Sequence, residues 1–467
     1  MKIIILGAGQ VGSTAAHHLA KEEANDLTVV DLDLNLLRNL QSRLDIRTVH
    51  GHASHPETLR KAGIEDAEMV VAVTDSDETN MVACQVAWTL HQTPIKIARV
   101  RAVEYLAVAQ DMFTANPSED KSRNAIPVDF VISPEQLVTD HIKRLIQYPG
   151  ALQVLDFAGG RVRLVGVKVS PDGLLCGQKL RTLREHIPHV DSRVAAIYRR
   201  GSGIVPEGDT VIEDGDEVFF IAARRDIRVV MSELRRLEST VRRIVIAGGG
   251  NIGLRLAQEL EGTNNVKLIE RSRDRARQIS EILQRTVVLN ADAADQDLLE
   301  EEGIENTDVF CAVTNTEEAN ILSAMLAKRL GARKALALIS RTSYVDLVEE
   351  GSIDVAISPQ QITISALLAY VRRGDVVAVH SLRRGAAEAI EAIAHGDSEN
   401  SKVVGRSIEE VPLPPGVTIG AIVRGEEVLM AHHDLVVESN DHIIMFVTDR
   451  SRIPDVEKLF EVGITFT

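Results

Sequence analysis

Cysteine, long apolar runs and positive charge are all scarce in this 467-residue chain. Its three cysteines, Cys84, Cys176 and Cys311, form neither a disulfide framework nor a metal spacing. They fit buried thiols in a reducing cytoplasm. No apolar run reaches the roughly 18–20 residues that span a bilayer. The opening Met1-Lys2-Ile3-Ile4-Ile5-Leu6-Gly7 is too short an apolar stretch for a signal peptide and is expected to open directly into the fold. A net charge of −16 argues against nucleic acid as a partner and against whole-surface attraction to anionic lipid, since both need positive charge. The local exception is Arg224, Arg225, Arg228, Arg235, Arg236, Arg242 and Arg243, read as the solvated face of a connecting helix. A face docked near lipid headgroups or an acidic partner is the other reading of that stretch. With 45% hydrophobic and 26% charged residues the chain is an ordinary globular one, long enough for roughly three or four domains.

What is present is a duplication. Gly7-Ala8-Gly9-Gln10-Val11-Gly12 follows the apolar run 3–6, and Gly248-Gly249-Gly250-Asn251-Ile252-Gly253 follows the run 244–247, 241 positions later. Thr74, Asn80 and Arg101 recur 240 positions on as Thr314, Asn320 and Arg341. Ser133-Pro134 then pairs with Ser358-Pro359 at an offset of only 225, so the first half carries about fifteen extra residues, placed in the polar stretch 112–124.

Each half opens with strand and helix patterns in alternation. Short β-branched runs at 2–6, 27–31, 48–49, 69–74, 95–99 and 129–132 read as strands buried on both faces. Between them, 79–90 reads as a helix with Met81, Val82, Val86 and Leu90 on one side, echoed by Ile321, Leu322, Met325, Leu326 and Leu330. Such alternation predicts an α/β fold with a doubly wound, Rossmann-like parallel sheet. From about 151 to 223 short strands dominate (163–169, 194–198, 217–222), separated by Pro171-Asp172-Gly173 and Asp214-Gly215-Asp216. A similar segment spans 376–447, with Asn440-Asp441 at the place of Gly215-Asp216. The expected order is a nucleotide-binding unit at 1–124, a small α+β unit at 144–228, and the pair again at 240–358 and 376–460.

In a Gly-x-Gly-x-x-Gly turn the first glycine permits the tight strand-to-helix turn. The second lets the backbone approach a pyrophosphate, and the third lets helix and strand pack closely. The helix N-terminus holds phosphate through free N–H groups and its positive dipole end. Asp31 and Glu270 end the second strands, where a carboxylate accepts ribose hydroxyls and repels a 2′-phosphate. NAD(H) or an unmodified adenosine nucleotide is favoured over NADP(H). Thr74-Asp75 and Thr314-Asn315 end the fourth strands at the carboxyl edge, in the ribose or adenosine neighbourhood. Arg99, Arg101 and Arg341 close the fifth strands, either reaching phosphate or making ordinary surface ion pairs.

His50, His52 and His55 cluster after the third strand and raise a metal site as an alternative. The second half has Leu289, Ala291 and Ala294 nearby instead, so the cluster falls outside the repeated machinery. His432-His433, read as neighbours in a strand, would point to opposite faces. The small units hold no His–acid pair repeated between halves, no Gly-x-Ser-x-Gly elbow and no metal ligand set. Nucleotide binding is duplicated without visible chemistry, which favours sensing over a nicotinamide-dependent oxidoreductase with a degenerate second copy.

The glycine turns, the acid ending strand two, Ala72-Val73-Thr74-Asp75-Ser76-Asp77-Glu78-Thr79-Asn80 and its echo at 312–320 together resemble the RCK (regulator of K⁺ conductance) domain. The small units, with Gly208-Asp209 and Glu213-Asp214-Gly215-Asp216-Glu217-Val218, look like its C-terminal companion. An RCK-N/RCK-C pair twice over, with the segments 78–85, 148–154 and 381–396, is similar to the peripheral subunits of bacterial Trk potassium-uptake systems. The resemblance implies a non-enzymatic cytoplasmic regulator, peripheral on the inner membrane, that binds NAD(H) and ATP or ADP. It implies a homotetrameric ring that gates an integral membrane potassium-translocating Trk subunit. Family nucleotide contacts carry over to Gly7, Ala8, Gly9, Gln10, Val11, Asp31, Thr74, Asp75 and Arg99. In the second half they carry over to Gly248, Gly249, Gly250, Asn251, Ile252, Glu270, Asn290 and Thr314. The chain departs from a common family pattern at His52, where many RCK domains place Asp; Asp292 lies in the comparable loop of the second half.

Overall fold

The computed structural model describes residues 1–20, 25–114, 125–204, 206–341, 344, 353–371, 376–382 and 387–460. It divides into two compact units, Met1–Leu137 with Pro359–Leu367, and Val138–Ser358 with Leu368–Thr467.

The first unit is built on a six-stranded parallel sheet of β1 (Lys2–Leu6), β2 (Asp26–Asp31), β3 (Arg47–His50), β4 (Met69–Ala72), β5 (Ile95–Arg99) and β6 (Phe130–Ile132). Their order is β3-β2-β1-β4-β5-β6. Helices α1 (Gln10–Leu19), α2 (Leu34–Gln41), α3 (Pro56–Ala62) and α4 (Asp77–His91) make crossovers, and α5 (Pro134–Gln147) follows β6. Ile3, Ile4, Ile5 and Leu6 are wholly buried because β1 is central and covered on both faces. The strand order reverses between β1 and β4, and that crevice is where open α/β sheets take ligands. The doubly wound sheet expected from the alternating pattern is the one observed.

The helix face was not. On α4 the side packed on the sheet carries Asn80, Ala83, Cys84 and Ala87, while Val82 and Leu90 are exposed. Small side chains let the helix approach the sheet closely; of the four residues read on one side, Met81 is buried and Val86 packs against the core, whereas Val82 and Leu90 face outward.

In the second unit the chain forms a five-stranded antiparallel sheet of β7 (Ala151–Phe157), β8 (Val162–Lys168), β9 (Ser192–Arg199), β10 (Ser202–Ile204) and β11 (Glu217–Ala223), ordered β10-β9-β11-β8-β7. Helix α6 (Ile227–Leu234) leads out of it. Of the seven arginines read as one helical face, only Arg228 lies on α6. Arg235 instead donates to the Gly150 carbonyl at 3.0 Å and pairs with Glu238.

The parallel sheet then recurs as β12 (Arg243–Ala247), β13 (Asn265–Glu270), β14 (Val287–Asn290), β15 (Val309–Ala312), β16 (Lys334–Leu338) and β17 (Val355–Ile357), ordered β14-β13-β12-β15-β16-β17. Its helices include α7 (Asn251–Leu260), α8 (Arg273–Ile282) and α9 (Glu317–Arg329). Helix α9 repeats the arrangement of α4, with Asn320, Ser323, Ala324 and Ala327 buried and Leu322 exposed. Residues 100–129 separate β5 from β6, against 339–354 between β16 and β17, so the extra length falls where the offsets put it; positions 115–124 lie outside the described residues.

A second antiparallel sheet, β18 (Val376–Leu382), β19 (Ala387–Ile393), β20 (Val417–Arg424), β21 (Glu427–Met430) and β22 (His442–Val447), is ordered β18-β19-β22-β20-β21. The two small sheets share one core, in which Leu155, Phe157, Leu164 and Phe219 join Leu382, Ala389, Ile444 and Phe446. Each is pinned by the same network: Arg199 Nε donates to buried Asp216 at 2.9 Å, and Arg424 Nε donates to buried Asp441 at 2.9 Å. The turn before each aspartate is left-handed at Gly215 and Asn440, as the matched dipeptides suggested. His432 and His433 lie in the turn after β21 rather than in a strand.

Candidate nucleotide-binding sites

The glycines of each fingerprint have separable jobs. Gly7 and Gly248 take φ of +107° and +110°, a conformation that L side chains rarely adopt. A Cβ on Gly12 would sit 1.8 Å from the Gly7 carbonyl oxygen, and one on Gly253 would sit 1.9 Å from that of Gly248. Helix and strand therefore meet only because both positions lack side chains. A Cβ on Gly9 would meet no atom within 4 Å, and one on Gly250 only Asn315 Oδ1 at 3.8 Å. The middle glycines thus keep space open in front of the loop, where an approaching phosphate needs it.

Gln10-Val11 and Asn251-Ile252 form the first turns of α1 and α7. Neither helix has a side-chain cap or an acidic residue in that turn, which leaves first-turn N–H groups and positive dipole ends for an anion.

The acids on the second strands are drawn to these loops. Asp31 accepts Ala8 N–H at 2.5 Å and Asp33 N–H at 2.8 Å; Glu270 accepts Gly249 N–H at 2.8 Å and Ser272 N–H at 2.7 Å. Each oxygen keeps a lone pair, so a ribose diol can still be bound.

At the fourth-strand ends the structure adds residues that sequence reasoning used only as landmarks. Buried Asn80 accepts Thr74 N–H at 2.9 Å and Thr74 Oγ1–H at 2.7 Å, and donates to the Arg99 carbonyl at 2.9 Å. Asn320 makes the same bonds to Thr314 N–H (2.8 Å), Thr314 Oγ1–H (2.7 Å) and the Leu338 carbonyl (3.0 Å). The threonine hydroxyls are thereby turned inward, and the asparagines knit the ends of the fourth and fifth strands into one rim. A buried polar residue recurring between halves was the available signal. Asp75 is exposed beside Thr74.

Strand register corrects one pairing. Val70 lies opposite Lys96 and Phe310 opposite Ala335, so the fifth strands are offset by 239, not 240. Arg99 therefore corresponds to Leu338, and Arg101 to Ser340 rather than Arg341. Arg99 pairs with Glu135 at 3.3 Å, whereas Arg341 pairs with Glu318 at 3.4 Å on the surface. The half-buried arginine at the end of the fifth strand thus has no arginine at the equivalent position of the second site.

The third-strand loops also differ. Register sets His50 against Asn290, and the same offset sets His52 against Asp292 and His55 against Asp295, not the apolar residues expected there. His50 Nε2 contacts the Leu32 carbonyl at 3.1 Å, as Asn290 Nδ2 contacts that of Arg271 at 3.0 Å. His52 stacks on His55 at 4.5 Å, and among the described residues no group of three His, Cys, Asp or Glu is arranged for a metal. In the second site Arg275 Nε donates to the Gly249 carbonyl at 2.9 Å, a contact that sequence reasoning missed.

Among the described residues no acid–base pair recurs between the two halves. His186 meets Glu233 at 2.8 Å and His442 meets Glu391 at 2.6 Å, but at non-equivalent places in the two small sheets.

A family model described as the TrkA-N domain matches residues 3–118 and 244–359, and one described as the TrkA-C domain matches 164–235 and 398–461. The chain belongs to the TrkA family. It is 64% identical to the Trk system potassium uptake protein TrkA of Halomonas elongata over 466 residues, covering 100% of both chains. To the protein of the same name from Vibrio alginolyticus it is 60% identical, covering 99% of both. A solved structure described as the GsuK channel bound to NAD has the same fold, with a TM-score of 0.60, 17% identity, and coverage of 98% of this chain and 79% of that one. Within that family assignment the N-type and C-type domains stand in tandem, twice over. Among the described residues no helix is long and apolar enough to cross a membrane.

Proposed function

We propose that the chain is the nucleotide-sensing regulatory subunit of a Trk potassium-uptake system, lying on the cytoplasmic face of the inner membrane and gating an integral membrane potassium-translocating subunit. The observation that carries this reading is the pair of open glycine cradles, each faced by a strand-two carboxylate and, among the described residues, neither accompanied by a repeated acid–base group. The units at 1–124 and 240–358 are the nucleotide-binding ones, and those at 144–228 and 376–460 are their small companions.

NAD(H) and ATP or ADP are the ligands. The open space at Gly9 and Gly250 suits a pyrophosphate, while Asp31 and Glu270 suit an unphosphorylated ribose. The NAD named for the GsuK structure supports this chemistry on a shared fold. Gln10, Val11, Asn251 and Ile252 would offer amides to phosphate, and Arg99 adds positive charge at the first site. The chain's own part is to bind, orient and change shape.

A homotetrameric ring is the assembly. Val82 and Leu322, 48% and 61% exposed on equivalent helices, give each half an outward apolar stripe suited to self-association. A ligand moves a ring between conformations only through its differential affinity for them; a hundredfold preference is worth about 2.7 kcal/mol.

The test is calorimetry on the full chain with NADH, ATP and ADP, beside Asp31→Ala and Glu270→Ala variants, followed by potassium flux through the reconstituted partner. Each substitution should remove binding at its own site, and nucleotide should change the flux. Unchanged binding in both variants, or nucleotide-indifferent flux, refutes the proposal. Consumption of NADH with carbonyl substrates would favour an oxidoreductase instead.

A further inference from the structure

The short turn that ends α5 is held by two cations, one just after α6 and one from the second half of the chain. Arg235 donates to the Gly150 carbonyl at 3.0 Å, and Lys334 Nζ donates to the next carbonyl, Ala151, at 3.0 Å. Gly150 is left-handed (φ +88°), and a Cβ there would lie 2.7 Å from Arg235 Nε, so the guanidinium packs against the bare glycine. A buried lysine is costly unless its charge is answered. Burial pushes Lys334 down to about 8, against the pull of Glu238 and Asp354 nearby, and its ammonium is aimed at a backbone carbonyl.

Lys334 opens β16, and the last residue of that strand, Leu338, gives its carbonyl to Asn320, which holds Thr314 at the rim of the second site. One five-residue strand thus has a nucleotide site at one end and the turn clamp at the other. A second tie runs parallel to it: Lys143 on α5 pairs at 2.7 Å with Glu259 on α7, the helix that begins at the glycines of the second site. At its other end α5 starts beside the first site, where Glu135 pairs with Arg99. Register places Ile95 where the second half has Lys334, so the first half offers no lysine at that strand position.

We propose that Lys334 is a positioning residue that couples the two nucleotide sites within one chain, by fixing the strand that ends at the second site to the turn that ends the helix beginning at the first. The proposal rests on the nucleotide-binding reading above. Coupling of this kind is a binding free energy that must be equal in both directions when measured as affinity, whichever site is filled first.

The experiment uses the full chain and ADP as the probe. Calorimetry on Glu270→Ala gives the first site alone and on Asp31→Ala the second alone; departure of the unsubstituted chain from their sum gives the coupling factor. The same three measurements are made with Lys334→Met added. Coupling should fall to a factor of one while both single-site affinities stay unchanged, a result that a merely structural lysine would not give. Lys334→Arg, which keeps the charge, should retain coupling, and Gly150→Ala, which displaces Arg235 from the same turn, should weaken it even if Lys334→Met does not fold. Coupling that persists in Lys334→Met, or in Gly150→Ala where the methionine variant does not fold, overturns the inference, as does a factor of one in the unsubstituted chain. Absence of any ADP binding instead defeats the nucleotide reading on which it rests.

Discussion

Glu270 accepts the Gly249 amide at 2.8 Å, and a Cβ at 249 would lie 2.9 Å from that same carboxylate oxygen and 2.3 Å from Ile279 Cδ1. The first half solves the contact differently, with the shorter Asp31 reaching an alanine amide at 2.5 Å. Acid length and the residue in the glycine turn are therefore matched pairs. Gly249→Ala is expected to cost about 1–3 kcal/mol, in the range of overpacking, and to weaken nucleotide at the second site only. Adding Glu270→Asp should recover part of the loss, leaving the Ile279 clash. Urea unfolding and calorimetry on the single and double variants measure the coupling; strictly additive effects would refute the pairing.

Asn80 and Asn320 hold the fourth-strand ends, and each is buried with several bonds made. Alanine at either position leaves a backbone N–H and a carbonyl short of partners, a penalty of roughly 1–3 kcal/mol for each group left unsatisfied. Both variants should unfold at lower urea and bind nucleotide more weakly at the altered site. Stability and affinity equal to the parent would show that the rim holds without them.

Acid should loosen the second unit. Burial, with Arg144 and His380 nearby, pushes His141 down to about 3; burial and Arg144 push His380 down to about 4. Both are lowered from an ordinary value near 6.5. Between these limits the unfolded chain binds more protons than the folded one, so stability rises with pH through that window. Their contribution is fully present above about pH 6.5 and is lost as pH falls toward 4 and 3. His380→Phe, which keeps the edge-on contact with Phe157 (5.0 Å between centroids), should flatten the fall between pH 6.5 and 4. Urea midpoints measured at pH steps check this; parallel curves for parent and variant would count against it.

Leu322→Asp and Val82→Asp should reduce self-association without loss of fold, because both side chains already face solvent in the single chain. Light scattering should report a smaller mass at unchanged far-UV circular dichroism. A full-size assembly in the double variant would place the subunit interface elsewhere.

Cys84 and Cys311 illustrate what reads directly from sequence. They lie in apolar helix and strand patterns and are buried, with thiols pushed up to about 12 by burial, whereas Cys176, expected to be buried as well, is half-buried. Strand identity and the parallel, doubly wound sheet were legible for the same reason. Buried parallel strands must be continuous apolar runs, and the glycine turn fixes where the first helix starts. The outward stripe of α4 was not legible, since hydrophobic periodicity alone does not distinguish a face packed on a sheet from one reserved for another contact.

By itself, then, the sequence determined that two glycine turns with facing carboxylates exist, that they were duplicated, and that short β-rich units follow each. Spacing along the chain carries those facts, because bond lengths and side-chain bulk fix a turn locally. Only the tertiary structure decided that Arg99 corresponds to Leu338 in the repeat rather than to an arginine, and that Thr74 turns its hydroxyl inward to Asn80. The same holds for the delivery of Lys334 to the Ala151 carbonyl, 183 positions away in sequence. Register and long-range contact arise from how strands lie beside one another, and a one-residue shift in a loop resets both without altering the local pattern.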